Sequence, residues 1–291
     1  MLERRVVDFS DDARVTVASV QLAPAIGDLE ANRALVRDAV ARAAAAGAQL
    51  VVVPELATSG YVFESAAEAR SLALPAEDAL APWVAAADEH GIVLAGGFAE
   101  RDGDVVYNSA AIVDGSGVLV VYRKVHLWDR EQLVFTPGSA FPPVIDTPVG
   151  RLGVCVCYDL EFPEMVRGLA LAGAELVCVP TNWPYEARPA DERPMEVVRA
   201  MAAASCSRVF IAAADRCGRE RGVDWVGGSV IVGPDGWPLA GPPASASPAL
   251  LVASCDLALA RDKRVSARND VLADRRPDVY AGAGLVALPR A

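Results

Sequence analysis

At 291 residues, 53% hydrophobic and 22% charged, the chain has the profile of a globular protein with a large core and not of a disordered one. Its net charge of -11 argues against nucleic acid or an anionic membrane surface as partner, because both need a basic footprint. No apolar run approaches the roughly 20 residues of a membrane-spanning helix, the N-terminus has no apolar signal core, and the six cysteines are irregularly spaced, unlike a disulfide scaffold. A reducing, cytoplasmic setting is therefore expected.

Residues 1–13 read as a polar lead-in. Arg14 to Gln21 reads as a buried strand, and about Leu29 to Ala46 as a helix with Leu35, Val36 and Val40 on one face. Gly47 sits where a helix C-cap belongs. A strand from Gln49 to Pro54 follows and ends in Glu55. A second helix, about Ala79 to His90, stops at Gly91 and leads into an apolar segment from Ile92. Two strands joined at Asp114-Gly-Ser-Gly117 then run to Lys124 in a hairpin pattern.

The second half repeats this order. Ala172-Gly-Ala-Glu-Leu-Val-Cys-Val-Pro180 echoes Ala46-Gly-Ala-Gln-Leu-Val-Val-Val-Pro54, and Ser229 to Gly236 more loosely echoes Ser109 to Ser116. Two related halves with helices between strands predict an α/β fold of two sheets, each with a helical layer outside. No linker rich in Gly, Ser or Pro divides the halves, so residues 14–260 are expected to form one domain. Gly241 to Pro248 reads as a surface loop before a last strand, Ala249 to Asp256, and residues 261–291 as a polar arm.

The strongest local feature is Arg151-Leu-Gly-Val-Cys-Val-Cys-Tyr-Asp-Leu-Glu-Phe-Pro-Glu164. An apolar run ends at Cys157, and a helix-like segment with Met165, Val166 and Leu169 follows. A cysteine facing a helix N-terminus is expected to favour thiolate over thiol. The N–H of Tyr158 would then point at an oxyanion. From this segment alone, two buried apolar cysteines are an equally good reading.

A thiol needs a base, and the chain holds only two histidines. His90 ends an Ala-rich helix and reads as a surface or C-cap residue. His126 fits a catalytic or a structural role. The alternative is an acid with an amine: Glu55 and Lys124 stand, like Cys157, where an apolar strand stops, and α/β folds expose reactive groups there. A carboxylate serves as base, and a buried ammonium steadies an oxyanion. A lone Glu or Lys at a strand end is ordinarily a solvated surface charge. Three such residues in matching positions of a repeat shift the balance toward chemistry.

Three segments, Pro54-Glu-Leu-Ala-Thr-Ser-Gly-Tyr61, Tyr122-Arg-Lys-Val-His-Leu-Trp128 and Cys157-Tyr-Asp-Leu-Glu-Phe-Pro-Glu164, resemble the signatures of the nitrilase superfamily of carbon–nitrogen hydrolases. The resemblance covers roughly residues 14–280. It implies an α-β-β-α sandwich with internal two-fold similarity, Glu55 as general base, Lys124 as oxyanion stabiliser and Cys157 as nucleophile. It also implies a second glutamate, Glu131, ahead of Phe135-Thr-Pro-Gly138. No metal or organic cofactor is implied.

Cys-Tyr-Asp at the nucleophile looks more like amidases than the Cys-Trp-Glu of nitrile-cleaving members. The whole motif is similar to that of 5-aminopentanamidases and R-stereoselective amidases. A small-molecule amide substrate is therefore expected, with carbamoyl hydrolysis, ω-amidase activity or an inactive scaffold as alternatives. Glu161 would suit a substrate carrying an amine or equally a structural ion pair with an arginine. Tyr61, Phe63, Trp128, Asn182 and Trp183 are expected pocket walls, although aromatics in such places are often simply packed. The segment Asn269 to Tyr280 resembles the family tail that packs across a dimer interface, so a homodimer or higher homo-oligomer is expected.

Overall fold

The alternating strands and helices of the sequence appear in chain order in the computed structural model, which describes residues 14–282. The lead-in over 1–13 and the end of the arm, 283–291, lie outside the described residues. Strand β1 (Arg14–Gln21) leads to helix α1 (Leu29–Ala45), whose first turn is capped by Asp28 accepting from the Ala31 N–H at 3.0 Å. Strand β2 (Leu50–Val52), helix α2 (Ala66–Leu72) and helix α3 (Ala76–His90) follow. The sequence pattern misses α2 and starts α3 three residues late, because its first turn carries the polar Glu77 and Asp78. Gly91 ends α3 in the left-handed conformation, at φ 63°.

Strands β3 (Val93–Asp102), β4 (Val105–Asp114) and β5 (Gly117–Arg123) complete the first half. The second half runs β6 (Ile145–Thr147), β7 (Gly150–Val154), α4 (Pro163–Leu171), β8 (Leu176–Thr181), α5 (Met195–Ser207) and β9 (Phe210–Asp215). A small hairpin of β10 (Arg219–Glu220) and β11 (Val223–Asp224) precedes β12 (Val230–Val232), β13 (Pro238–Ala240) and β14 (Ala249–Asp256). Beyond them lie α6 (Ala258–Arg261), a mostly exposed hairpin of β15 (Arg264–Ser266) and β16 (Asn269–Asp270), and α7 (Pro277–Gly282). No helix among the described residues is long and apolar enough to cross a membrane.

Two six-stranded sheets result, ordered β14-β1-β2-β3-β4-β5 and β13-β12-β9-β8-β7-β6. The repeat is visible in the pairing. Parallel β1-β2-β3 followed by antiparallel β4 and β5 matches parallel β7-β8-β9 followed by antiparallel β12 and β13. β14 lies antiparallel to β1 as β6 does to β7.

Alternation on β2 sends Leu50 and Val52 into the core shared with the second sheet, and Val51 into the core shared with α1 and α3. Met165 and Leu169 of α4, with Val197 and Ala200 of α5, pack on the other sheet. The result is the α-β-β-α sandwich with two-fold similarity that the sequence predicts. Gly97 of β3 permits a close approach: a Cβ there would stand 2.5 Å from the Glu55 Cα. The end of β2 therefore folds directly over β3.

Candidate active site

Glu55 leaves the end of β2, Lys124 the end of β5, and both are buried. Lys124 Nζ donates to Glu55 Oε1 at 2.7 Å and to Glu131 Oε1 at 2.9 Å. Glu131, on a 3-10 turn over Asp129–Leu133, is also bound by the Tyr61 hydroxyl at 2.7 Å and the Trp128 N–H at 3.0 Å. One ammonium thus lies between two buried carboxylates. Burial alone disfavours the Lys124 ammonium, but Glu131 and Glu55 reverse that and hold it charged well above the usual lysine range. Burial pushes the Glu55 carboxyl up to about 7 against the pull of Lys124. Burial and the Glu131 carboxylate likewise keep Tyr61 protonated, so its hydroxyl remains a donor.

Cys157 opens a 3-10 turn, Cys157–Glu161, two residues beyond β7's neighbour Cys155. Its backbone is left-handed, at φ 47°, a conformation rare for a non-glycine residue and held here by its surroundings. Asp159 does much of that holding. One oxygen accepts from the Val156 N–H at 3.0 Å and the Tyr122 hydroxyl at 2.8 Å, and the other from the His126 N–H at 3.1 Å. The N–H groups that open such a turn have no partner inside it, and Tyr158 supplies one of them.

The expected thiolate is corrected. Helix α4 starts only at Pro163, six residues past Cys157, and a 3-10 turn stands between them. Burial and the Glu55 carboxylate push the thiol well above the usual cysteine range, with Lys124 pulling it down. Cys157 rests as a thiol beside a carboxyl poised near neutrality. Asn182, at the end of β8, joins the two: its side-chain amide donates to the Glu55 carbonyl at 2.9 Å, and its carbonyl accepts from Cys157 Sγ at 3.8 Å. Glu55 Oε2 is buried and has no hydrogen-bond partner among the described residues.

A cavity of about 150 Å³ opens beside Glu131, lined by Tyr61, Val62, Phe63, Trp128, Val134, Phe135, Pro184, Val223 and Trp225 along with Asp129 and Arg130. It is smaller than the roughly 300–1,000 Å³ typical of drug-sized sites. Tyr61, Phe63 and Trp128 line this cavity, whereas Asn182, also expected as a wall, does not, and neither do Cys157 and Lys124. Trp183 is buried with its main-chain N–H on Asp215 at 2.9 Å and is not among the cavity's walls. Glu161 pairs with Arg199 at 3.1 Å and lines a different cavity, between α4 and α5. Of its two readings, the ion pair is the one realised. His126 stacks on Phe162, with centroids 3.6 Å apart, and its Nδ1 meets Asp159 at 2.8 Å, which suits structure better than proton transfer to Cys157.

Sequence reasoning missed Asn108, whose amide donates to Glu55 Oε1 at 2.7 Å and Glu131 Oε1 at 3.3 Å. An asparagine in mid-strand, where that residue is depleted, was the available signal. Asp159 and Asp215 were missed as well. Burial pushes Asp215 up to about 8, against the N–H groups of Gly228 and Trp183 that it accepts.

Residues 16–265 match the carbon–nitrogen hydrolase family. The chain is 37% identical over 270 residues to a nitrilase of Pyrococcus abyssi, covering 91% of this chain and 99% of that one. It is 35% identical over 222 residues to an (R)-stereoselective amidase of a Pseudomonas species, covering 75% and 77%. Among solved structures it resembles the amidase of Nesterenkonia sp. AN1 carrying acrylamide at its active-site cysteine, with a TM-score of 0.76, 33% identity and coverage of 92% and 99%. A butyramide complex of that amidase gives the same TM-score at 32% identity, covering 92% and 96%. The chain belongs to the carbon–nitrogen hydrolase family, as an amide-acting enzyme of the amidase-like branch of the nitrilase superfamily.

Proposed function

We propose that the chain hydrolyses short aliphatic carboxamides to the acid and ammonia through a thioester on Cys157. The observation that carries this reading is the buried pairing of Lys124 with Glu55 and Glu131 beside the Cys157 thiol. Glu55, with its carboxyl near 7, takes the thiol proton as Sγ bonds to the amide carbonyl carbon. Lys124 and the Tyr158 N–H steady the oxyanion. As the C–N bond breaks, Glu55 returns the proton to the leaving nitrogen, and ammonia departs. Glu55 then draws a proton from water, which attacks the thioester, releasing the acid and restoring the thiol. Glu131 holds Lys124 and Tyr61 in register.

The small size of the cavity beside Glu131 and the acrylamide and butyramide bound by the Nesterenkonia amidase support a short acyl chain. Ammonia release from propionamide, butyramide, 5-aminopentanamide, glutaramate, an N-carbamoyl amine and a nitrile tests this reading. Butyramide or propionamide turned over at least about 10-fold better in kcat/KM supports it. Preference for the carbamoyl compound or glutaramate replaces it with that branch. Silence on all of them favours a binding protein.

We also propose a cytoplasmic homodimer with the arm after Arg261 at its interface. Six free cysteines fit a reducing compartment, and Leu171, Met195 and Val198 expose apolar surface on α4 and α5. Sedimentation velocity at micromolar concentration would return a dimer, and a monomer would contradict it.

A further inference from the structure

The loop carrying Tyr61 is gripped by the small hairpin of β10 and β11. Arg221 and Gly222 close that hairpin, both left-handed at φ 44° and 87°, the backbone of a tight two-residue turn. Glu220 is buried, and its Oε2 accepts from two consecutive backbone N–H groups, Tyr61 at 2.9 Å and Val62 at 2.7 Å. Arg216 fixes this carboxylate with Nη1 on Oε2 at 3.0 Å and Nη2 on Oε1 at 2.9 Å. Its Nη2 also donates to the Pro24 carbonyl at 2.8 Å, and its guanidinium lies 4.6 Å from the centre of the Trp225 ring.

From the other side Arg221 donates to the Val62 carbonyl at 2.9 Å and pairs with Glu68 at 2.7 Å. Consecutive residues of the hairpin therefore hold the N–H and the C=O of Val62. The fit is close. A Cβ on Gly60, whose φ is 80°, would stand 2.8 Å from Glu220 Oε1 and 2.4 Å from the Ile26 Cα. Tyr61 links this grip to the chemistry: its hydroxyl meets Glu131 at 2.7 Å, and its ring stands edge-on to Trp225 at 5.2 Å.

We propose that the hairpin is a positioning clamp. Glu220, fixed by Arg216, sets the backbone of Tyr61 and Val62, and through the Tyr61 hydroxyl it sets how Glu131 faces Lys124 and the substrate. The proposal rests on the amidase reading above. Glu220, Arg216 and Arg221 are positioning residues, because each acts through another group. Val62, Val223 and Trp225 line the cavity and ride on the same clamp, so substrate fit and Glu131 geometry are set together.

The test combines Glu220→Gln, Tyr61→Phe and the double variant. Arg221→Met, which removes no buried charge, serves as a second probe of the clamp. Amide hydrogen exchange at Tyr61 and Val62 reads the grip directly, and kcat and KM for butyramide read its effect. Glu220→Gln should speed exchange at both amides by at least about 10-fold. It should lower kcat/KM by about 10- to 100-fold, mostly in kcat, since a misplacement of about 1 Å is that costly. In the Tyr61→Phe background the same substitution should cost less than about 3-fold.

Equal losses in both backgrounds, or unchanged exchange, would overturn the clamp. Should Glu220→Gln not fold, Arg221→Met with Tyr61→Phe carries the same cycle, with an expected loss of about 3- to 10-fold. A wild type silent on every amide would sink the amidase reading, while the exchange measurement would still decide the clamp.

Discussion

Lys124 carries one positive charge between two carboxylates, and all three side chains are buried. Such a cluster is costly to assemble and costlier to break in half. Removing one partner of a buried pair typically costs about 3–5 kcal/mol, because the remaining charge loses its compensation. Lys124→Met should therefore abolish turnover and destabilise the protein by about 3–5 kcal/mol in urea unfolding. A stable, active Lys124→Met protein would contradict the assignment.

The same cluster sets the pH profile. The Glu55 carboxyl, pushed up to about 7 by burial, accepts a proton only when ionised. Below that value kcat/KM should fall about tenfold per pH unit, with an apparent pKa near 7 that belongs to the coupled cluster. A profile flat down to pH 5 would remove Glu55 as the base.

At the scale of elements, strand ends carry the site and buried acids lock them. Asp159 accepts from Val156, Tyr122 and His126 within the turn that presents Cys157. Each buried donor left without a partner costs about 1–3 kcal/mol. Asp159→Ala should lose at least about 3 kcal/mol of stability and most activity, by calorimetry and ammonia release.

This division also explains what was legible in the sequence. Glu55, Lys124 and Cys157 stand out in the sequence because each follows an apolar run, but their roles come only from the resemblance of three segments to the nitrilase signatures, while the repeat around Pro54 and Pro180 announces two sheets. Asn108, Asp215 and Glu220 do not stand out, since their partners lie far along the chain: Glu220 meets Tyr61 across 159 positions. Glu161 carries two readings in the sequence, and in the fold its carboxylate stands 3.1 Å from Arg199. The sequence suggests a helix directly after Cys157; a 3-10 turn and the Glu55 carboxylate stand there instead, and the thiol keeps its proton.

For the whole molecule, two buried carboxyls tie stability to pH. Burial raises Asp215 from 3.8 to about 8 and Glu55 from 4.5 to about 7. Each binds its proton more tightly folded than unfolded. Their contributions are full below the unfolded values and are lost as pH rises toward the folded ones. Stability should thus decline between about pH 5 and 8, each such group costing up to about 1.4 kcal/mol per pH unit. Asp215→Asn should flatten that decline in urea midpoints measured across the range. An unchanged slope would show that Asp215 is not held protonated in the fold.

Rapid-quench mass spectrometry with butyramide probes the proposed thioester on Cys157. The Cys157 peptide should gain the mass of the butyryl group within the first turnover and lose it as substrate is exhausted. Ammonia release with no adduct on that peptide, or with the adduct on another residue, would contradict it.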